Sequence, residues 1–318
     1  MSKGSSYWST ARGKIGNTVV SVVRGQRIER AYQPSVANPK TPKQMTQRAK
    51  FFSAVGFYKQ ATQSLFKMAF EDKRQTESDY NAFMRHNVAS APMYSPKTLA
   101  ADAPNYTPFM SKWMLSQGSL ASLRPIAEDS AQFRLTLNNF NYKPAITTIG
   151  QFSEALVGGG NGYQYGDVVT FVKYKSSAYV ISADDGTQAD PAVLLLDLEN
   201  MPRMEFVQFV LSASDTRKVE QFWMNANAGE SEEGEEASVS LTFADFDPKT
   251  GTAEDEYIGG FAVIVSRPGT TLKVSDSYLV PTRYTEQYME IYDTEEWQQG
   301  ILKQWAAAEP VVLEGALV

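Results

Sequence analysis

The sequence predicts an α+β protein that is mostly β, with an extended N-terminal arm carrying a hairpin, a helical connector, an antiparallel β-sandwich or barrel-like body and C-terminal helices. Three observations predict this class. Residues 1–40 are broken by glycines and carry little apolar surface. Residues 41–90 and 285–318 show helical spacing of apolar residues. Residues 113–284 contain roughly ten strand-like segments separated by turn residues, and 91–112 are a proline-rich linker.

The N-terminal arm is expected to form a two-stranded hairpin. Thr18 to Val23 is rich in β-branched residues, Arg24-Gly25-Gln26 can turn the chain, and Arg27 to Tyr32 can return as a second strand. A lone hairpin is marginal in water, so we expect this one to need a partner surface. The backbone of Val19 to Val23 is expected to offer an unpaired strand edge to a neighbouring sheet.

A helix is predicted to begin directly after the arm. Thr41 can cap it, Pro42 suits the first helical position, and Gln44 stands where a capping box places Glu or Gln. Apolar residues spaced by three or four continue to about residue 70, with a bend expected near Gly56. A second helix is expected over 77–87, with Thr76 as its cap.

The body is predicted from alternating and β-branched runs, with one or two helical turns over 149–157 and two C-terminal helices. The last helix presents Trp297, Ile301 and Trp305 on one face, spaced by four. These tryptophans either pack on the body or, if exposed, mark a subunit contact. The predicted strands are Phe133–Leu137, Val168–Tyr174, Ala178–Ile181, Val193–Leu196, Glu205–Leu211, Val219–Met224, Ser238–Phe243, Phe261–Ser266 and Thr271–Val274.

Charge is divided unevenly along the chain. Residues 1–70 carry twelve Lys and Arg against one acid, a net +11, whereas residues 71–318 carry 18 basic and 35 acidic residues, a net −17. A basic arm on an acidic body indicates that the arm contacts something negative. Nucleic acid and an acidic neighbouring subunit are both candidates, and a solvated basic face without a specific partner is the third alternative.

The composition excludes several kinds of site. The chain has no Cys, which excludes disulfides, thiolate metal sites and cysteine nucleophiles, and His86 is the only histidine. Gly158 to Gly162 lacks the Gly-Lys-Ser/Thr ending of a phosphate loop. Asp245 to Asp247 fails the EF-hand spacing. Asp184, Asp185 and Asp190 could bind a divalent ion in a loop, but aspartate is an ordinary turn residue, and the turn is the favoured interpretation. No apolar run is long enough to span a bilayer. We therefore expect a protein that is not an enzyme and has no cofactor or metal.

One stretch resembles a known family. The resemblance lies in residues 13–20, 24–26, 38–44 and 47–51, and its most specific piece runs from Asn38 to Phe51. It points to uncharacterised proteins of Bacteroidetes and their phages, including virion proteins of crAss-like phages. The resemblance implies a non-enzymatic virion structural protein in a capsid, portal-vertex or tail-connector assembly, located in the virion after assembly in the host cytoplasm. The family offers no catalytic residues.

The expected partners are other virion proteins, such as capsid, portal or connector subunits, in a multi-copy assembly without a membrane. The alternative is a nucleic-acid-binding protein whose basic N-terminal region contacts phage or host DNA. The aromatic side chains that usually interleave with basic residues in nucleic-acid modules are few in the arm. The candidate assembly contacts are Arg12, Lys14, Val20, Val22, Arg24, Arg27, Arg30, Trp297 and Trp305.

Overall fold

The computed structural model confirms the predicted class, an α+β fold that is mostly antiparallel β. It describes residues 13–23, 26–35, 39–61, 63–67, 69–93, 109–127, 132–136, 148–181, 193–196, 202–219, 225–228, 238–242, 256–269 and 271–306. The chain divides into two compact units, Met1–Thr41 and Pro42–Val318. The described strands form separate open sheets rather than a closed barrel.

The N-terminal unit is a three-stranded antiparallel sheet of β1 (Gly13–Ile15), β2 (Thr18–Val23) and β3 (Gln26–Ala31), in that spatial order. The predicted pairing of β2 with β3 is confirmed. The sequence analysis missed β1, which joins β2 through the two residues Gly16 and Asn17. Gly16 has a φ of 57°, and a two-residue turn that opens with glycine suits a hairpin. The unit is therefore a meander rather than a lone hairpin.

The described part of the larger unit contains five α-helices and one 3₁₀ turn. Two helix starts are fixed by side-chain caps. Ser78 Oγ accepts a hydrogen bond from Asn81 N at 3.2 Å. Thr148 Oγ1 accepts from Gln151 N at 3.3 Å while Gln151 Oε1 accepts from Thr148 N at 3.2 Å, which is a complete capping box. The helices are α1 (Pro42–Gln60), α2 (Asp79–Asn87), α3 (Ile149–Gly158), α4 (Arg283–Tyr292) and α5 (Glu295–Ala306), and the 3₁₀ turn is Gln63–Phe66.

The larger unit is organised around one sheet. Its spatial order is β13-β12-β7-β8, with β9 also paired to β7 and β15 to β12. A second sheet has the order β10-β11-β6-β5, and β14 pairs with β4. The strands are β4 (Met114–Ser116), β5 (Arg124–Ala127), β6 (Gln132–Thr136), β7 (Val168–Ile181), β8 (Val193–Leu196), β9 (Arg203–Val210), β10 (Asn225–Ala228), β11 (Ser238–Thr242), β12 (Glu256–Arg267), β13 (Lys273–Val274), β14 (Ser277–Tyr278) and β15 (Val280–Pro281).

The central sheet is covered on both faces. Along β7, Val172 and Tyr174 enter one core with residues of α1, α2 and α4, whereas Val169 and Phe171 enter a second core with residues of α3. Successive side chains of a strand point to opposite faces, so β7 and β12 must be apolar on both. This double burial explains why the sequence of β12 is almost continuously apolar rather than alternating.

The larger unit does not divide into the four separate segments that the sequence predicted. Phe57 from the expected connector, Phe109 from the expected linker and Tyr288 from the C-terminal segment lie in one core with Tyr174 of the β-body. Phe57 packs against Tyr174 with ring centroids 5.3 Å apart. The chain therefore has a single boundary, before Pro42. No further boundary follows, because the helices and the central sheet share one core.

Two helix predictions require correction. The first helix ends at Gln60 instead of continuing to 70, and Gly56 lies against the ring of Phe109 with no space for a Cβ, so the glycine serves close packing. The second helix is capped by Ser78 and not by Thr76. Both errors arise from tertiary contacts that the helical spacing alone does not reveal.

The strand predictions hold for most of the body. The two segments 168–174 and 178–181 are one strand, β7, whose partner changes from β9 to β8 along its length. The short strands β4, β5, β10, β14 and β15 were not predicted. The Val219–Met224 segment lies mostly outside the described residues, as do the aspartates 184–190 and 245–247.

Candidate assembly surface

The N-terminal sheet separates its basic side chains. In the β2–β3 register Val22 faces Arg27 and Val19 faces Arg30, so Arg27 and Arg30 lie on opposite faces of the sheet. Arg27 pairs with Glu29 at 2.5 Å on one face. Lys14 lies on the other, with its Nζ 3.6 Å from the ring centroid of Tyr32.

Both faces of this sheet also expose apolar side chains. Val22 is 37% exposed and shares a face with Arg27, while Ile28 is 46% exposed and shares the opposite face with Arg30. Tyr32, directly after β3, is 39% exposed. These are three of the eight large exposed apolar side chains in the described part of the chain, although the sheet and the residue after it span only 13–32. Such concentration on a small element makes the sheet a candidate contact surface.

The open backbone edges of the sheet lie partly elsewhere than predicted. β2 is the middle strand, and its residues Thr18 to Val20 pair with β1 as well as β3. The expectation of an unpaired edge over Val19–Val23 is therefore wrong for Val19 and Val20, which β1 covers. Among the described strands, Ser21 to Val23 pair with β3 alone, as expected. The edge strands are β1 and β3, and β3 has six residues with β2 as its one strand neighbour among the described strands.

The other candidate contacts fall into three groups. Arg12 and Arg24 lie outside the described residues. Val20 is only 4% exposed and does not offer a free side chain, which corrects its assignment as a contact. The two tryptophans of α5 follow the first of the two predicted alternatives. Trp297 donates to Met93 O at 3.2 Å, and Trp305 packs edge-on against Phe52 at 5.7 Å.

The tryptophans therefore fasten α5 to the body. Trp297 also packs edge-on against Tyr292 at 4.6 Å, and Ile301 between them is fully buried with Ala49 of α1. Their partial burial in this packing accounts for the four-residue spacing seen in the sequence.

The glycine-rich loop after α3 is held by a buried ion pair. Asp167 is almost completely buried and takes two hydrogen bonds from Arg267, at 2.6 and 2.7 Å, plus one from Gln164 N at 2.9 Å. Arg267 also donates to Gly162 O at 2.8 Å, and its pKa is raised by the Asp167 hydrogen bonds. The loop is a turn in which Gly160 and Gly162 have φ near +75°, a conformation that glycine adopts without strain, and this arginine fixes it at Gly162.

His86 belongs to a second polar network. Arg85 donates to Asp72 Oδ2 at 2.6 Å and to Glu77, and His86 Nε2 lies 3.1 Å from Asp72 Oδ1. The Arg85 hydrogen bond holds the pKa of Asp72 below its usual value. The His86 ring stacks on Phe70 at 5.0 Å. These contacts join the end of α2 to the turn before it, so they give the one histidine a structural role.

No described group of three or more acidic or histidine side chains could hold a metal ion. Within the same residues, no helix combines the length and apolarity needed to cross a membrane.

Sequence reasoning missed one exposed surface altogether. β9 carries Phe206 and Val210, which are 41% and 48% exposed. In the sequence, Phe206 and Val210 alternate with Val207 and Phe209 like the residues of any half-buried strand. The sequence therefore gives no sign that Phe206 and Val210 are exposed. The only signal that could have found them is the strand order, which places β9 at a sheet edge.

The comparisons with known proteins concern the N-terminal part of the chain. Residues 10–139 match a family of unknown function, DUF6266. The match spans the N-terminal sheet, α1, α2 and the strands up to β6, and therefore includes the residues 13–51 on which the resemblance above rests. No curated protein and no solved structure matches the chain. The matched family carries no assigned function, so it adds neither an activity nor a partner.

Proposed function

We propose that this protein is a non-enzymatic structural subunit of a multi-copy assembly in a phage virion, and that its N-terminal sheet joins it to neighbouring subunits. One observation carries the proposal. A small compact unit, separate from the body, combines exposed apolar side chains on both faces with an open strand edge. The assignment to a virion rests on the sequence resemblance.

The charge of the two units supports a protein partner. Residues 1–41 contain seven basic residues and one acid, whereas 42–318 contain 23 basic and 35 acidic residues. One copy therefore carries a basic surface element and an acidic body, which attract each other between copies. Opposite charge orients and accelerates association, while apolar contacts and strand pairing supply most of the affinity.

The geometry disfavours the nucleic-acid alternative. A protein that follows a phosphate backbone needs its Lys and Arg side chains on a common surface. Here Arg27 and Arg30 lie on opposite faces, and Arg27 is already paired with Glu29. The exposed Val22 and Ile28 would gain nothing from phosphate contacts.

Sedimentation velocity of the full chain tests the proposal, over a range of concentrations and with or without a random DNA duplex. We expect oligomers that grow with protein concentration and that form equally well without DNA. The opposite result would be a chain that stays monomeric alone but binds the duplex, with an affinity that falls steeply as the salt concentration rises. That result would contradict the proposal and favour the nucleic-acid function.

A further inference from the structure

An open cleft lies on the body beside α4. It has a volume of about 520 Å³, within the roughly 300–1,000 Å³ typical of clefts that bind a ligand. It is lined by residues of α1, α4 and α5 and of the segments after α2 and before β4. Its apolar lining consists of Ala91, Pro92, Met93 and Met289.

The α4 side of this cleft is acidic. It presents the exposed carboxylates of Glu286, Glu290 and Asp293. The sequence from 284 to 302 contains five acids and no Lys or Arg. The last turn of α4 also lacks a basic residue, so the partial negative charge of the helix end adds to these carboxylates and is not neutralised within the helix.

The two lysines of the cleft are engaged by the body itself. Lys50 Nζ donates to a backbone carbonyl at 2.9 Å, and Lys112 Nζ lies 3.5 Å from Glu286 Oε1. Within the described residues, neither Glu290 nor Asp293 forms an ion pair. The α4 side of the cleft therefore keeps an excess of negative charge next to an apolar lining, which suits an occupant that is basic and partly apolar.

One face of the N-terminal sheet has this composition. The registers of β1 and β3 on β2 place Lys14 and Arg30 on the same face, together with Ile28. Ile28 and Tyr32 supply exposed apolar surface there, and Lys14 lies over the ring of Tyr32. Glu29, the one acid among residues 1–41, lies on the opposite face. This face is called the basic face below.

We propose that the basic face of the N-terminal sheet docks in the α4 cleft of a second copy of the chain. This inference rests on the proposed function and names the acceptor surface on the neighbouring subunit. The cations of Lys14 and Arg30 meet the carboxylates of α4, and Ile28 meets the apolar lining. A contact between two different surfaces of the same chain is heterologous, and such contacts build rings or open filaments.

Charge exchange between two full-length variants tests this contact. The donor variant carries Lys14→Glu and Arg30→Glu, and the acceptor variant carries Glu286→Lys and Glu290→Lys. All four side chains are exposed, so both variants should fold. Each variant alone places like charges across every contact, whereas an equimolar mixture restores opposite charges in both directions.

We expect sedimentation velocity to show mostly monomer for each variant alone and oligomers for the mixture, at a concentration where the wild type assembles. A control variant carries Glu154→Lys on the exposed side of α3, outside the cleft, and should assemble like the wild type. A sheet that docked in the cleft of its own chain would gain nothing from mixing.

The outcomes separate this inference from the proposed function. A wild type that stays monomeric at every concentration would contradict the proposed function itself. A wild type that assembles, with an acceptor variant that assembles equally well or a mixture that recovers nothing, would overturn the α4 cleft and leave the assembly role intact. The milder variant Glu290→Gln should raise the concentration needed for assembly several-fold, and an unchanged concentration would also count against the cleft.

Discussion

Replacing Gly56 by alanine should destabilise the protein, although alanine is the better helix former. Gly56 lies inside α1, where a Gly→Ala change normally gains about 1 kcal/mol. At this position a Cβ would overlap three ring atoms of Phe109. The fully buried ring cannot move aside easily, because Phe52 packs edge-on against it at 5.9 Å and its carbonyl accepts a 2.7 Å hydrogen bond from Trp113 Nε1.

The expected size follows from these two opposing effects. Forcing an extra methyl group into a tightly packed core costs about 1–3 kcal/mol, so the net loss should be about 1 kcal/mol and could reach about 2 kcal/mol. Phe109→Ala alone should cost about 3–5 kcal/mol, because it leaves a cavity. In that background the methyl group has space, and Gly56→Ala should become neutral or stabilising by about 1 kcal/mol.

A double-mutant cycle measured by urea denaturation reveals this change of sign. The four proteins are the wild type, Gly56→Ala, Phe109→Ala and the double variant, and the coupling free energy should be about 2 kcal/mol. If Gly56→Ala stabilises the wild-type background by the ordinary helical amount, the ring does not lie on the glycine and the reasoning is refuted.

Three further changes test other parts of the fold. Asp167→Asn should lower the free energy of unfolding by about 2–3 kcal/mol, because it leaves a partly buried arginine without its carboxylate. The pair of Lys112 and Glu286 has both side chains more than half exposed, so Glu286→Gln is a control that should cost less than about 1 kcal/mol. Arg85→Met should make the free energy of unfolding fall less steeply on acidification. In the wild type the lowered pKa of Asp72 stabilises the fold at pH values above the unfolded pKa of about 3.9. This stabilisation is lost as the pH falls through the folded pKa. Equal acid slopes in urea titrations of variant and wild type would show that this network does not titrate as described. Thr41→Ala should cost about 1 kcal/mol as the loss of a helix cap, and an unchanged denaturation midpoint would mean that this side chain does not cap the helix.

Local signals in the sequence predicted the elements that short-range chemistry controls. Pro42 is the first residue of α1 as its fixed φ favours, and Val193–Leu196 coincides with β8. The Gly16-Asn17 dipeptide is a hairpin signal, although no strand was predicted before it. Long-range packing decided the rest. β7 was predicted as two strands because Lys175 and the serines after it interrupt the apolar run. In the structure it is one strand, whose partner changes from β9 to β8 at this point.

The candidate surface was predictable only in part. The charge division and the exposed strand-forming residues of the N-terminal unit are visible in the sequence. The exposed part of β9 is not visible in the sequence. It depends on strand order, which puts β9 at a sheet edge, and on the packing of the first core, which covers Met204 but not Phe206. Phe206 has the same local pattern as the buried Phe209, and only the tertiary structure separates the two.

The central claim is that the N-terminal sheet holds copies of this protein together. Its most direct test is the mass distribution of the full chain in solution, measured by sedimentation velocity for the wild type and for a variant with Val22→Lys and Ile28→Lys. Both side chains are exposed, so the fold should tolerate the changes, and Phe51→Lys is the matched control. We predict that the double variant is monomeric at concentrations where the wild type and the control form oligomers. Oligomers of unchanged mass in the double variant would contradict the claim.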